Sequence, residues 1–187
     1  MRCVLFTLVP IVLVCLCSCQ TTFNLKEGAT ELEFSGSYLY TEQPESEWYR
    51  RAFVFDTIVT PYVYTVSPSF ELHNQWAKNK FQFMGIPIHQ YTWLVAPFIG
   101  ATILFSNRDV IPYIRPVIGM GYQKTNTNGN DDSDSCFAFG AGIGLKIPAS
   151  SDVTFNLEFG WRRFDWDKDF GEEEDIFGVT VGFAIWF

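Results

Sequence analysis

The strongest constraint on the fold is a period-two alternation that dominates the C-terminal third of the chain. One face of residues 177–187 is uniformly apolar: Phe177, Val179, Val181, Phe183, Ile185 and Phe187. The other face is made mainly of small residues: Gly178, Thr180, Gly182, Ala184 and Trp186. Residues 136–147 and 153–164 repeat the alternation. Because successive side chains of a strand point to opposite sides, the pattern predicts β-strands.

Eight segments of this kind can be placed along the chain. They are residues 30–40, 51–65, 69–78, 91–105, 110–124, 136–147, 153–164 and 175–187. Each has about the 9–11 residues that a tilted strand needs to cross a bilayer. Short turns are predicted at 67–68, 106–109 and 148–152, and longer polar loops at 41–50, 79–90, 125–135 and 165–174. This alternation of short and long connections predicts an all-β fold, an eight-stranded antiparallel up-and-down transmembrane β-barrel with its short turns on the periplasmic side.

Composition decides which face of the strands meets the surroundings. Aromatic residues make up 18 % of the 187 residues and charged residues another 18 %. A soluble, lipocalin-like barrel would bury the aromatic face and present a charged face to water. The second face is instead rich in Gly, Ala and Thr, which suit a narrow packed interior. The large apolar face is therefore predicted to meet lipid, and closure of the barrel then satisfies every backbone hydrogen-bonding group.

Aromatic residues gather near the predicted strand ends, as two interfacial girdles require. The turn-side candidates are Tyr64, Phe70, Phe105, Trp186 and Phe187. The loop-side candidates are Tyr40, Trp48, Tyr49, Trp76, Tyr91, Trp93, Tyr122, Trp161 and Trp166. Four prolines fall within predicted strands, where bulges or missing ladder bonds are expected: Pro61, Pro97, Pro112 and Pro116.

The first 19 residues differ in character from the rest. Arg2 supplies a positive charge, and residues 4–17 form an apolar run that contains Pro10. This run is short for a membrane-spanning helix. Residues 1–19 are therefore predicted to be a signal peptide rather than a transmembrane anchor.

The end of this segment has two interpretations. Residues 16–19 read Leu-Cys-Ser-Cys, which resembles the bacterial lipoprotein cleavage box, whose last cysteine becomes lipidated. Cys19 is then the candidate lipidation site, whereas an ordinary signal peptide leaves it unmodified, and both interpretations stay open. Residues 20–29 are expected to form a periplasmic N-terminal segment and residues 30–187 the barrel.

Charged residues on the inward face are the main candidate site. By alternation the following side chains should point into the lumen: Glu31, Glu33, Asp56, Glu71, Arg115, Lys146, Glu158 and Arg162. Charges inside a low-dielectric interior must be paired. A salt-bridge plug is the favoured interpretation, because an eight-stranded interior is just wide enough for side chains. A narrow polar path or gate centred on Arg115 is the alternative.

Other chemistry finds little support in the sequence. The net charge of −8 argues against a nucleic-acid partner. The acidic run that begins at Asp165 places Gly171 one position too late for an EF-hand loop and Ile176 where the bidentate Glu should stand. The only two histidines are His73, which should face the lumen beside Glu71, and His89, at the end of the second predicted loop. Neither has a recognisable nucleophile or metal-ligand setting. We therefore predict no catalytic residues, no metal, no cofactor and no enzyme activity.

The sequence resembles the small outer-membrane β-barrel family, which includes the OmpA-type transmembrane domain and the OmpX and OmpW types. The resemblance covers residues 30–187. Its sharpest element is the C-terminal strand, which resembles the terminal β-signal recognised by the barrel assembly machinery, through Val181, Phe183, Ile185 and Phe187. Residues 112–122 also resemble the glycine-punctuated middle strands of such barrels.

This resemblance implies an integral protein of the bacterial outer membrane, with the lipid bilayer and the assembly machinery as partners. A structural or surface-interaction role is expected, in which acidic extracellular loops contact an extracellular or host ligand. A narrow channel for small or apolar solutes, as in the OmpW type, is the alternative, and a lipid-modifying enzyme is a third. The barrel is expected to be a monomer.

Overall fold

The computed structural model describes residues 28–43, 48–83, 86–105, 110–166 and 173–187. It contains eight strands: β1 (Glu31–Gln43), β2 (Trp48–Thr60), β3 (Val66–Phe83), β4 (Ile86–Leu104), β5 (Ile111–Thr127), β6 (Asn130–Pro148), β7 (Val153–Trp166) and β8 (Glu173–Trp186). Each strand pairs with the next in antiparallel fashion, and β8 closes onto β1. The predicted eight-stranded antiparallel barrel is confirmed. No helix within the described ranges is long and apolar enough to cross a membrane.

The end of the barrel where β2 passes to β3, β4 to β5 and β6 to β7 is called the turn end. The predicted turn at residues 67–68 is wrong, since β3 already begins at Val66. The chain turns at residues 61–65 instead, because Pro61 has no N–H to continue the β2 ladder. Tyr62 adopts a positive φ of 55° in this turn. The Ser67 hydroxyl accepts a hydrogen bond of 2.7 Å from the Tyr64 N–H, which stabilises the turn.

The opposite end, called the hairpin end, is built from strands where long loops were predicted. β3 and β4 pair as far as Phe83 and Ile86, so the predicted loop at residues 79–90 is largely ladder. β5 and β6 pair as far as Thr127 and Asn130, across the predicted loop at 125–135. The two residues between them, Asn128 and Gly129, have φ of 51° and 91°. Positive φ at both positions is the type I′ hairpin turn that an Asn-Gly pair favours.

Two further hairpins lie at this end. β1 extends to Gln43 and β2 begins at Trp48, within the loop predicted at residues 41–50. β7 extends to Trp166 and β8 begins at Glu173, within the loop predicted at 165–174. The tips of both hairpins lie outside the described residues, as does the whole of the turn predicted at 106–109.

Prolines interrupt the β4–β5 ladder without shifting it. Within these two strands, no pairs form at residues 96–97 of β4 or opposite Pro116 of β5. The register is the same on both sides of each gap, so no residue is inserted and neither site is a bulge. Missing ladder pairs at Pro97 and Pro116 are therefore confirmed. Pro112 keeps its place in the β5–β6 ladder opposite Leu145.

Strand alternation separates an apolar outer face from a mixed inner face. Large side chains exposed on the outer face include Phe53, Phe70, Trp76, Trp93, Ile99, Met120, Phe137, Phe155, Phe159, Phe177 and Phe183. They form a continuous belt around the barrel, as the sequence predicts for a lipid-facing surface. The inner face carries the buried polar and charged residues.

Candidate functional site: the barrel interior

The structure places the predicted interior charges on the inward faces of six strands. None of them is more than 7 % exposed: Glu31, Glu33, Asp56, Glu71, Arg115, Lys146, Glu158 and Arg162. Their inward direction follows from the two-residue period of each strand, and the antiparallel register brings charges from distant parts of the chain together. They form two adjoining groups.

The first group, nearer the turn end, is the turn-side network: Glu31, Glu33, Arg115 and Lys146. The Lys146 ammonium donates a hydrogen bond to Glu31 and another to Glu33 at 3.1 Å. The Arg115 guanidinium donates to Glu33 at 2.7 Å and to Glu158 at 2.8 Å. Two carboxylates and two cations make this network neutral within itself.

The second group, nearer the hairpin end, is the hairpin-side network: Asp56, Glu71, His73, Glu158 and Arg162. One guanidinium nitrogen of Arg162 donates hydrogen bonds to both carboxylate oxygens of Glu71, each at 2.9 Å. The same nitrogen lies 3.6 Å from Glu158, which also bonds to Arg115 and so joins the two networks. His73 Nδ1 lies 2.7 Å from Asp56 Oδ1. Three carboxylates face one guanidinium here.

Apolar clusters lie in the interior toward both ends. Toward the turn end the buried cluster consists of Val63, Leu104, Ile111, Tyr113 and Trp186. Toward the hairpin end it consists of Leu94, Ala96, Phe98, Val117, Cys136, Ala138 and Phe164, with Trp166 and Ile176 packed against it. Two residues expected in the outer girdles, Trp186 and Trp166, therefore point inward, because their positions in the alternation share the inner face.

Neighbouring groups already occupy the space beside most of the inward-facing glycines. A Cβ added at Gly142 would lie 2.3 Å from the Glu158 carboxyl group, and one at Gly144 would lie 2.6 Å from the Tyr113 ring. At Gly182 it would lie 2.2 Å from a backbone oxygen of β1. Gly160 and Gly178 are different, since their nearest contacts are 3.5 Å and 4.0 Å away. These two glycines line a cavity of about 30 Å³ beside the hairpin-side network.

The cavity lies behind the seam where the barrel closes. β1 and β8 pair only from Glu31–Trp186 to Gly36–Val181. Beyond Gly36, β1 continues to Gln43 with ladder partners on β2 alone, among the described residues. The open part of the seam borders the cavity through Ser37 of β1 and Thr180 of β8.

Sequence reasoning places His73 on the inner face near Glu71 but misses its partner. Asp56 is directly opposite His73 in the β2–β3 ladder. Alternation gives only the face on which each residue lies, whereas cross-strand pairing depends on the register. Because the sequence predicts the β2–β3 turn at 67–68 rather than at 61–65, it implies a wrong register and does not reveal the Asp56–His73 pair. The Pro61 signal marks the true end of β2 and would have revealed this pair.

Polar groups at the hairpin end form an exposed surface of mixed charge. Lys124 and Asp131 form an ion pair of 2.8 Å across the β5–β6 hairpin. The hydrogen bond from Lys124 lowers the pKa of Asp131, and the same bond raises the pKa of Lys124. Arg50 of β2 and Glu174 of β8 form an ion pair of 2.9 Å, which links the two strands that flank β1 in the barrel.

The residues predicted to form the assembly signal lie on the outer face of β8. Val181 and Phe183 are 50 % and 44 % exposed, and Phe187 is 70 % exposed. Ile185 is half-buried and pairs with Leu32 of β1. Recognition of this strand stays a prediction. The candidate lipidation site Cys19 lies outside the described residues.

Comparisons with known proteins identify the fold. No protein-family model matches the sequence, and no curated protein is similar to it. Among solved structures, Neisserial surface protein A matches with a TM-score of 0.55 at 11 % identity, over 86 % of this chain and 100 % of that one. A major outer membrane protein from Thermus thermophilus matches with a TM-score of 0.56 at 8 % identity, over 85 % of this chain and 98 % of that one.

A third match is Ail, the attachment invasion locus protein of Yersinia pestis, in complex with the heparin analogue sucrose octasulfate. Its TM-score is 0.53 at 12 % identity, over 86 % of this chain and 99 % of that one. At such low identity the likeness concerns the fold alone. The protein has the eight-stranded closed barrel of small bacterial outer-membrane proteins.

Proposed function

We propose that the protein is a monomeric, integral barrel of the bacterial outer membrane, with a structural and surface-contact role and a non-conducting interior. The belt of exposed aromatic and aliphatic side chains supports insertion into lipid, since a solvated barrel would carry charge there. In this orientation the turn end faces the periplasm and the hairpin end faces outward. Residues 1–19 act as the export signal.

The packed interior is the observation that carries this proposal. A channel requires a continuous lumen, whereas ion-paired side chains and two apolar clusters fill most of the described interior and leave only the small cavity beside Gly160 and Gly178. Arg115 is 0 % exposed and bonds to two carboxylates, which favours a plug over a gate. Breaking such a network costs several kcal/mol, roughly 3–5 for one buried partner. The plug is therefore not expected to open under thermal motion.

The hairpin end is suited to contact other surfaces. From Trp76 to the end of β3 at Phe83, seven residues at about 3.3 Å each extend the strand about 23 Å along its own axis past Trp76. Acidic groups gather on the β5–β6 and β7–β8 hairpins: Asp131, Asp132, Asp134, Asp165, Glu174 and Asp175. Cations gather on β2 and β3: Arg51, Lys78 and Lys80.

Charge complementarity then suggests the partner. Ail holds a polysulfate analogue of heparin. The acidic hairpins of this protein would repel such a polyanion and attract a cationic protein or peptide surface. We infer that the extracellular partner is a basic surface, and that Asp131, Asp132 and Asp134 are part of the contact.

Binding of charged polymers to the protein in vesicles tests the surface role. The refolded protein, embedded in neutral lipid, should bind polylysine but not heparin, and added salt should weaken the binding. The triple variant D131N/D132N/D134N should bind polylysine more weakly, while the matched variant K78Q/K80Q should not. Preference for heparin, or binding that the acidic substitutions leave unchanged, would refute the proposed contact.

A further inference from the structure

The hairpin-side network carries a surplus of negative charge. The turn-side network contains two carboxylates and two cations and is balanced. In the hairpin-side network, Asp56, Glu71 and Glu158 outnumber Arg162. Glu158 also bonds to Arg115, but Arg115 is already counted in the balanced turn-side network, so the formal charge here is −3 + 1 = −2 when His73 is neutral. Buried charge of one sign is costly unless a counter-charge neutralises it. A divalent cation would neutralise this surplus in one step.

Three side chains with metal-binding atoms converge in this network. One imidazole nitrogen of His73 and one carboxylate oxygen each from Asp56 and Glu71 lie within 4.8 Å of one another, and all three residues are buried. Asp56 stands opposite His73 in the β2–β3 ladder, and Glu71 precedes His73 by two residues on the same face. Glu71 already bonds to Arg162, but a carboxylate has about four acceptor sites and can hold both a guanidinium and a metal ion.

The local hydrogen bonding leaves buried polar atoms without partners. His73 is 4 % exposed, and its Nε2 has no hydrogen-bond partner among the described residues. Gln75, two residues further along the same inner face, is 2 % exposed and has an unpartnered Oε1. The 2.7 Å contact between His73 Nδ1 and Asp56 Oδ1 brings two possible ligand atoms side by side, so that an ion which replaces the shared proton can bind both.

The same region has space and an access path. The cavity of about 30 Å³ is lined by Asp56 and His73, and a site of this size holds about one water molecule or ion. Its other wall includes Ser37 and Gly178, which flank the open part of the seam between β1 and β8. The cavity is not fully enclosed, so an ion has a path to the network.

We propose that Asp56, Glu71 and His73 bind one divalent transition-metal ion inside the barrel. One imidazole and two carboxylates suit ions of borderline softness such as Zn²⁺, whereas Ca²⁺ and Mg²⁺ prefer oxygen ligands throughout. The sequence alone predicts no metal site, because the two histidines are far apart in the chain and the cross-strand partner of His73 is hidden. The bound ion ties β2 to β3 and neutralises the hairpin-side network.

Zinc titration of the refolded full chain tests this site. The protein is refolded in detergent, its folding is verified by heat-dependent gel mobility, metals are removed by a chelator, and Zn²⁺ is titrated calorimetrically. We expect one Zn²⁺ per chain. The variant His73→Gln should weaken binding by more than the roughly 10- to 100-fold that loss of an outer-shell partner costs. The matched variant His89→Gln removes the chain's only other histidine, which is exposed, and should bind as the wild type does.

A second measurement does not depend on the folding of the His73 variant. X-ray absorption of the Zn²⁺-loaded His89→Gln protein should show a single imidazole among oxygen ligands, because only His73 can supply it. The proposal is overturned if the wild type takes up no Zn²⁺, if uptake survives His73→Gln, or if the His89→Gln spectrum lacks an imidazole. Uptake that Ca²⁺ matches would assign the binding to the acidic hairpins instead.

Discussion

The two halves of the barrel interior differ in how their buried carboxylates are balanced by cations. In the turn-side half, β1 and β8 are paired, the glycines are filled and two carboxylates meet two cations. In the hairpin-side half, the same two strands are not paired with each other, Gly160 and Gly178 leave space, and three carboxylates meet one guanidinium. Closure of the sheet and neutrality of the interior thus coincide in one half and are both incomplete in the other.

This difference indicates where the barrel is rigid and where it can respond to a ligand. A neutral, fully bonded network has nothing to gain from an added ion. A network with surplus negative charge beside a cavity gains a counter-charge when it binds a cation. The turn-side half therefore maintains the fold, and the hairpin-side half is the site at which binding should change stability.

The largest expected effect comes from Glu33→Gln in the turn-side network. Glu33 bonds to both Arg115 and Lys146, so its neutralisation leaves two buried cations short of a partner. We expect a loss of about 3–5 kcal/mol in the free energy of unfolding. Denaturant titration of the refolded protein in vesicles measures it. The exposed control Asp132→Asn should change stability by less than about 0.5 kcal/mol; equal effects would mean that the network is not a plug.

A matched pair of glycine substitutions on β8 compares the closed and open parts of the seam. Gly182→Ala would place a Cβ 2.2 Å from the Phe34 carbonyl oxygen and 2.6 Å from Ser35. Such overpacking should cost about 1–3 kcal/mol. Gly178→Ala, whose nearest neighbour is 4.0 Å away, should leave the unfolding midpoint unchanged. A loss at Gly178 as large as at Gly182 would show that the seam is closed along its whole length.

Asp56→Asn should cost less than Glu33→Gln, although both replace a buried carboxylate by its amide. The amide oxygen can still accept the hydrogen bond from His73, and one surplus negative charge disappears. We expect a change below about 1.5 kcal/mol, the upper range for a single hydrogen bond. The same denaturant titration serves here. A loss as large as that of Glu33→Gln would contradict the charge imbalance between the two halves.

The smallest effect is expected at the exposed ion pair of the β5–β6 hairpin. Lys124 lowers the pKa of Asp131, so the contribution of the pair to stability is present above the ordinary carboxyl pKa and is lost as the pH falls through the lowered value. Both groups are solvent-exposed, and Lys124→Gln should leave the unfolding midpoint unchanged. It should raise the pKa of Asp131 in a titration followed by NMR. An unchanged Asp131 pKa would mean that the pair does not form in solution.

Much of the fold could be predicted because strand period and residue chemistry agree along the chain. The apolar series from Phe177 to Phe187 fixes the outer face of β8, and the same rule assigns the inward charges. The ends of the strands are harder to predict. Polar residues such as those of 125–135 are typical of a loop, although here they form a solvent-exposed hairpin. The Asn128–Gly129 turn marks that hairpin in the sequence.

The pairing of interior residues could not be predicted from alternation. Alternation gives a residue's face, and only the register tells which residues meet across strands. Thus Asp56 and His73 were each assigned inward without being recognised as partners, and Trp186 was assigned to the girdle although its inner-face position fills the turn end. How far β1 and β8 pair depends on how the whole barrel closes, so the sequences of these two strands do not show where their pairing ends.

Single-channel conductance in a planar bilayer tests the central claim, the sealed interior, most directly. The refolded protein, verified by heat-dependent gel mobility, should produce no discrete current steps. Arg115→Met should stay silent as well, because the apolar clusters toward both ends remain in place. Reproducible openings in the wild type, or openings that appear in Arg115→Met, would contradict the plug and establish a gated channel in its place.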